Sequence, residues 1–261
     1  LMDGLADGNQ EFLNKIFYRF SQSFKFVGSG AGSLELVQKA CIFDKDGIYK
    51  NKAIMVFIES NVGIGIKHGY DRVAGPIIAT QTDDSRIAEL NWENAFDVYA
   101  SILKDEVSGL DISKDSFFDV SKGYPLGISY KGYEDIVRDP ISCTQDGVIN
   151  CIDDIPENAA LYVLRGESQK LINAAKESCK EAMFVENHNP THCLLIDCVT
   201  RVLFLEDDFN QEIKAASTQI KNKHKNLDVE GILSMGEIAT FGNGRLELYN
   251  KTFLTSIFYD L

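Results

Sequence analysis

The feature that most restricts the fold is a succession of short apolar runs separated by tight turn signals. QKACIFDKDGIY carries a strand into the turn signal Asp44 to Gly47, Ala53 to Glu59 (AIMVFIE) is continuously apolar, and VGIGIKHGY alternates with a period of two. Ahead of them, FKFVGSGAGSLELV reads as a short strand entering a glycine-rich turn. Strands joined by tight turns pair antiparallel, so these segments form a meander and a parallel nucleotide-binding sheet is disfavoured.

Four stretches show helical periodicity instead. From Asn9 to about Phe20, the residues Phe12, Leu13, Ile16, Phe17 and Phe20 share one face. From about Asn91 to Lys104, Trp92, Phe96, Tyr99 and Leu103 line up in the same way. A third helix is expected from Ser168 to Met183 and a fourth from Asp208 to His224. In the fourth, Phe209, Ile213, Ala216 and Ile220 form the buried stripe, Lys214, Lys221 and Lys223 face water, and Asp207 or Asp208 caps the start. The second half adds strands in YPLGISY, EDIVRDPIS, GVINCIDDI, LYVLRG, CLLIDCV, VEGILSMGE, RLELYN and TFLTSIFYD. The expected architecture is α+β: two subdomains of mostly antiparallel sheet with helices on the outer faces. They are expected to meet near Val107 to Ser116, where DEVSGLDISKDS has no long apolar run.

The chain has 261 residues, 44% of them hydrophobic, which is enough for one large core or two smaller ones. Lys and Arg number 26 against 39 Asp and Glu, and a net charge of −13 repels phosphates and acidic membranes. Nucleic acid is not an expected partner. No apolar run approaches the ~20 residues that cross a bilayer, and no basic then apolar opening marks a secretion signal. The expected location is cytoplasmic, without membrane insertion. Because the first residue is Leu1, the sequence reads as a piece of a longer protein. Six cysteines include no Cys-x-x-Cys pair and lie mostly in apolar stretches, so reduced buried thiols are expected.

Few residues stand out as chemical candidates. Gly28-Ser29-Gly30-Ala31-Gly32 follows a strand, but its spacing is not a phosphate loop; it is either a plain turn or a turn lining a pocket. His188, His192, Cys193 and Cys198 cluster in sequence. Pro190 breaks any helix that would align the two histidines, and a separation of five sends the cysteines to opposite strand faces. A polar loop before a buried strand is the better reading there. His68, before Gly69 at the end of an alternating strand, is either a turn residue or an axial ligand for haem iron. Arg138, Arg165, Arg201 and Glu237 interrupt apolar strand runs, where a charge must reach solvent, a ligand or a partner such as an Arg201–Glu237 salt bridge. With no GxSxG or HExxH, an enzyme is not expected.

The ordered set of motifs resembles the FIST domain family, built from FIST-N and FIST-C halves. GLADGNQEFLNKIF, VGSGAG and KHGYDRVAGPIIATQTDDSRIAELNWENAFDVY are similar to the later part of FIST-N, with Tyr70 where the family often has Trp. YPLGI, IVRDP, DCVTR, GILSMGEI and ELYNKTF resemble successive FIST-C signatures. The resemblance implies an N-terminally incomplete FIST-N half over 1–110, running into a linking helix, and a FIST-C half over 111–261. It further implies a sensory domain that binds a small molecule such as an amino acid and signals to a separate histidine kinase or chemotaxis receptor. The ligand-binding residues expected on this basis are Gly28, Gly30, Arg138, Cys198, Arg201, Glu237 and Asn250. The alternative it implies is a haem-based nitric oxide sensor regulating a histidine kinase, with His68 on the iron.

Overall fold

The computed structural model describes residues 1–20, 23–106, 110, 112–130, 134–185, 188–241 and 244–261. It resolves into two compact units, one formed by Leu1–Gly69 with Ser168–Leu261, the other by Tyr70–Glu167. Of the segment 107–116 expected to mark a boundary, residues 107–109 and 111 lie outside the described residues.

The chain opens the first unit with β1 (Met2–Asp3), α1 (Asn9–Phe20) and β2 (Val27–Ala31). The hairpin β3 (Ile42–Asp44) and β4 (Gly47–Tyr49) and the strand β5 (Asn61–Lys67) follow. The second unit comprises β6 (Asp71–Asp83), β7 (Arg86–Leu90), β8 (Glu93–Asn94), α2 (Ala95–Glu106) and α3 (Phe117–Ser121). It continues through β9 (Leu126–Ile128), β10 (Ile136–Arg138), β11 (Pro140–Cys143), β12 (Ile149–Cys151) and β13 (Ala160–Arg165). The first unit then resumes with α4 (Ser168–Ala182), β14 (Pro190–Cys198), α5 (Val199–Leu205) and α6 (Phe209–Lys223). It ends with β15 (Val229–Ser234), β16 (Glu237–Phe241), β17 (Arg245–Tyr249) and β18 (Phe253–Tyr259).

The fold is α+β with mostly antiparallel sheets, as the turn-rich pattern predicts. In the second unit one sheet runs β10-β9-β13-β6-β7-β12-β11, with β8 beside β7, and its ladders are antiparallel. Tyr99 and Leu103 of α2 are buried, as are Ile87, Ile149 and Leu161 of the sheet. Of the stripe read from the sequence, Tyr99 and Leu103 are buried and Phe96 is half-buried, but α2 begins at Ala95 rather than Asn91, and Trp92 lies before it with φ 65 and is exposed.

The first unit holds two four-stranded sheets, β1-β2-β16-β17 and β15-β14-β18-β5. Helix α1 lies on β17, burying Leu13 with Ile238, Leu246 and Leu248. Helix α4 covers β5 and β18, and α6 packs on α4. Their shared core includes Ala175, Cys179, Ala216, Ile220, Leu195, Phe253 and Ile257. Because α5 and α6 intervene between β14 and β15, that pair is parallel, unlike the hairpin-linked strands.

Two expectations are corrected. VGSGA is not a turn but the strand β2, parallel to β1 and antiparallel to β16. AIMVFIE forms no strand: Ala53 makes a single bridge to Met2, and Ile54, Met55, Val56, Phe57 and Ile58 are exposed. Apolar composition supplies the propensity, but a strand also needs a neighbour's ladder, and the described chain offers this segment one bridge. A smaller difference concerns Asp208. Residues 206–208 form a 3-10 turn that runs straight into α6, so Asp208 is itself helical and its carboxylate accepts from Gln211 rather than capping the helix.

Gly63 and Gly65 on β5 permit the close approach of α4, since a Cβ at either would collide with the carbonyl oxygens of Ala182 and Ser178. Gly65→Ala must push α4 off the sheet, and a loss of about 3 kcal/mol in a urea titration is expected. At Gly231 a Cβ would meet Leu195 at an ordinary 3.4 Å, so Gly231→Ala is expected to stay within about 0.5 kcal/mol of the parent. Equal losses at both positions would refute the close-approach account.

Candidate functional site

The first unit contains a buried ionic centre built around Arg201, whose side chain is fully buried. DCVTR places Asp197 and Cys198 at the end of β14 and Arg201 in the first turn of α5. Arg201 Nη1 donates to the carbonyls of His68 at 2.6 Å and Lys251 at 2.9 Å, and Nη2 donates to Leu171 O at 3.1 Å. Nη2 also bonds to Glu212 of α6, and Nε stands 3.4 Å from Asp197. One planar fork thus ties the end of β5, the first turn of α4, α6 and the β17–β18 turn to α5.

Three buried carboxyls, Asp197, Glu212 and Glu237, surround this guanidinium. Burial holds Asp197 well above the ordinary carboxyl range, helped by the negative charge of Glu212 and opposed by Arg201. Glu237 Oε2 accepts from Thr252 N at 3.2 Å and Thr252 Oγ1 at 2.7 Å. Its Oε1 is buried with no hydrogen-bond partner among the described residues. Burial pushes Glu237 up to about 8, and the Thr252 bonds, the Arg201 charge and the neighbouring Cys198 thiol offset only part of that. Among the described residues Arg201 makes no direct bond to Glu237; Glu212 accepts from its Nη2, and Asp197 stands beside its Nε as a charge neighbour without a hydrogen bond.

Cys198 belongs to the same centre, and Asn250 precedes Lys251, whose carbonyl Arg201 holds. The Cys198 thiol lies 3.3 Å from Thr200 Oγ1, and burial with the nearby Glu237 raises its pKa. Asn250 is buried in the β17–β18 turn, where its Nδ2 donates to Tyr249 O at 3.0 Å. Lys251 beside it is fully buried with φ 55, a conformation few lysines adopt. Gly30 lies on the neighbouring strand β2, where its amide donates to Gly236 O at 2.7 Å, just before Glu237. A Cβ at Gly30 would meet Met235 O at 2.7 Å and Gly4 Cα at 2.8 Å, so this glycine allows backbone to pack on backbone. Gly28 contacts Ile238 instead, with ordinary room for a methyl group.

Arg138 belongs to the other unit, buried on β10, where it donates to Asp154 O at 3.0 Å and Val137 O at 3.2 Å. Arg165 is a surface residue 3.0 Å from Glu167. His188 lies 3.6 Å from Asp260, His192 is exposed on β14, and Cys193 is buried in the core, its pKa pushed up to about 12 by burial. Among the described residues no group of three or more His, Cys, Asp or Glu could hold a metal ion.

His68 is buried at the end of β5, and its carbonyl is committed to Arg201. At the adjoining Gly69 a Cβ would already meet Ala174 Cβ at 2.7 Å and Lys170 O at 2.9 Å. The backbone next to His68 thus packs directly against α4.

Asp197, Glu212 and Thr252 were not singled out in the sequence. Asp197 carries the same signal as Arg201, a charge inside an apolar run. Glu212 sits three residues after Phe209 and four before Ala216, on the buried stripe, and that position could have revealed it.

These features define an α+β protein with an ionic centre sealed inside one of its units. A FIST N domain model matches residues 1–93 and a FIST C domain model matches residues 95–240, so the chain belongs to the FIST family. FIST domains are sensory domains of signal-transduction proteins. No curated protein and no solved structure matches the chain. No described helix is long and apolar enough to cross a membrane.

Proposed function

We propose that this chain is a binding module, not an enzyme, which detects a small ammonium-bearing molecule such as an amino acid or amine and signals to a separate histidine kinase or chemotaxis receptor in the cytoplasm. The observation that carries the reading is Glu237 Oε1, a buried carboxyl oxygen with no hydrogen-bond partner among the described residues, on a side chain close enough to Asp197 for their charges to interact. An unsatisfied acceptor of this kind is costly, and a ligand ammonium would supply the missing donor and charge. Arg201 is already engaged by five groups, so the centre suits a cation better than a carboxylate. Strain held at Lys251, in the turn that carries Asn250 and Thr252, supports a turn that rearranges when the ligand enters.

Calorimetric titration with a panel of amino acids and amines tests this. Binding is expected to strengthen as pH rises towards 8, where Glu237 gives up its proton. Glu237→Gln is expected to weaken it at least tenfold. Protein grown with haem that shows a Soret band, lost in His68→Ala, would instead establish the haem-based reading.

A further inference from the structure

The outward face of α4 and α6 runs against the charge of the rest of the molecule. The two helices present Lys170, Lys176, Lys180, Lys214, Lys221 and Lys223 to the surface, in a chain whose net charge is −13. Their outward carboxylates are few and occupied: Glu177 pairs with Lys180 at 2.5 Å and Glu181 with Lys67 at 2.8 Å, while Glu212 points into the ionic centre.

A groove of about 560 Å³ runs between the helices. Gln169 and Lys176 line one wall, and Gln211, Lys214, Gln219 and Asn222 line the other. With Ile172 on the first wall and Ala215 and Thr218 on the second, spacings of three and four place each set in a single stripe along its helix. No carboxylate lines the groove, and among the described residues neither Lys176 nor Lys214 is ion-paired.

We infer that this groove is the docking surface for an acidic polypeptide segment of a partner protein. Ammonium groups on opposite walls supply charge complementarity, and side-chain amides can both donate to carboxylates and bond a peptide backbone. The open, polar form of the groove argues against a small anion. Small-molecule sites bury most of their ligand against apolar walls, and here Ile172 and Ala215 are the apolar residues of the lining. The long-range field of the chain repels an acidic segment, so attraction must act within about a Debye length of ~10 Å, which confines docking to this face. The inference is independent of the ammonium-ligand reading, which concerns the interior of the unit.

Fluorescence anisotropy with a labelled peptide of alternating Glu and Ala, beside a Ser and Ala peptide of equal length, tests it on the full chain. The acidic peptide is expected to bind at least tenfold more tightly than the neutral one, and to weaken as salt rises. The Lys176→Glu/Lys214→Glu variant should lose that preference, and Lys176→Gln/Lys214→Gln should lose most of it with less disturbance of the helices. Lys45→Glu, in the β3–β4 turn, should leave binding unchanged. Indifference of the acidic peptide to both double variants, or no preference over the neutral peptide, would overturn the assignment. Inorganic phosphate that saturates the same lysines as tightly as the peptide would overturn the polypeptide occupant in favour of a free anion.

Discussion

Arg201→Met is expected to be the most damaging single substitution in the ionic centre, lowering stability by roughly 3–5 kcal/mol. The change strands the carbonyls of His68, Leu171 and Lys251 and leaves Glu212 and Asp197 buried without their counter-charge. With net stabilities of about 5–15 kcal/mol for ordinary domains, the variant should be largely unfolded near its parent's melting temperature. Arg201→Lys keeps the charge but not the fork, and should also be destabilised. Adding Glu212→Gln to Arg201→Met removes one stranded charge and should recover part of the loss, a coupling readable in a double-mutant cycle. A melting temperature for Arg201→Met within two or three degrees of the parent would show that the centre is not what joins these segments.

Glu237 governs the second large effect, the response of stability to pH. Its carboxyl titrates near 8 in the folded chain against 4.5 when exposed, so folding takes up a proton between those values. The stabilisation is fully present below about pH 4.5 and is lost as pH rises through 8. At about 1.4 kcal/mol per tenfold change in proton affinity, the decline is on the order of 5 kcal/mol. Asp197, also raised by burial, acts in the same direction. Glu237→Gln keeps an acceptor for Thr252 and removes the titration, so it should flatten the pH profile and be more stable than the parent above pH 8. Urea midpoints across that range would decide the matter, and an unchanged slope would exclude Glu237 as its source.

Much of the architecture was legible because local patterns and tertiary packing agree. The α1 and α6 stripes and the CIFDKDGIY hairpin encode their partners' direction through their own periodicity. Where the pattern misled, distant chain decided the outcome. VGSGA became a strand because β16 pairs with it, whereas AIMVFIE, far more apolar, found a single bridge. The candidate site was half legible for the same reason. Arg201 and Glu237 announced themselves as charges in apolar runs, but which carboxyl each guanidinium nitrogen meets depends on how α5, α6 and the β17–β18 turn close together. No local spacing records that closure.

The order in which the chain is made bears on β5. Its residues Asn61 to Lys67 pair with Tyr259 to Phe253, among the last residues of the sequence, and β2 likewise pairs with β16. The second unit draws all its strands from residues between Asp71 and Arg165. During synthesis, therefore, every partner within the second unit is available while β5 lacks its strand partner and β2 has only β1. Until the C-terminal strands leave the ribosome, the glycine-lined face of β5 and the edge of β2 that meets β16 remain unsatisfied surfaces that the nascent chain must carry.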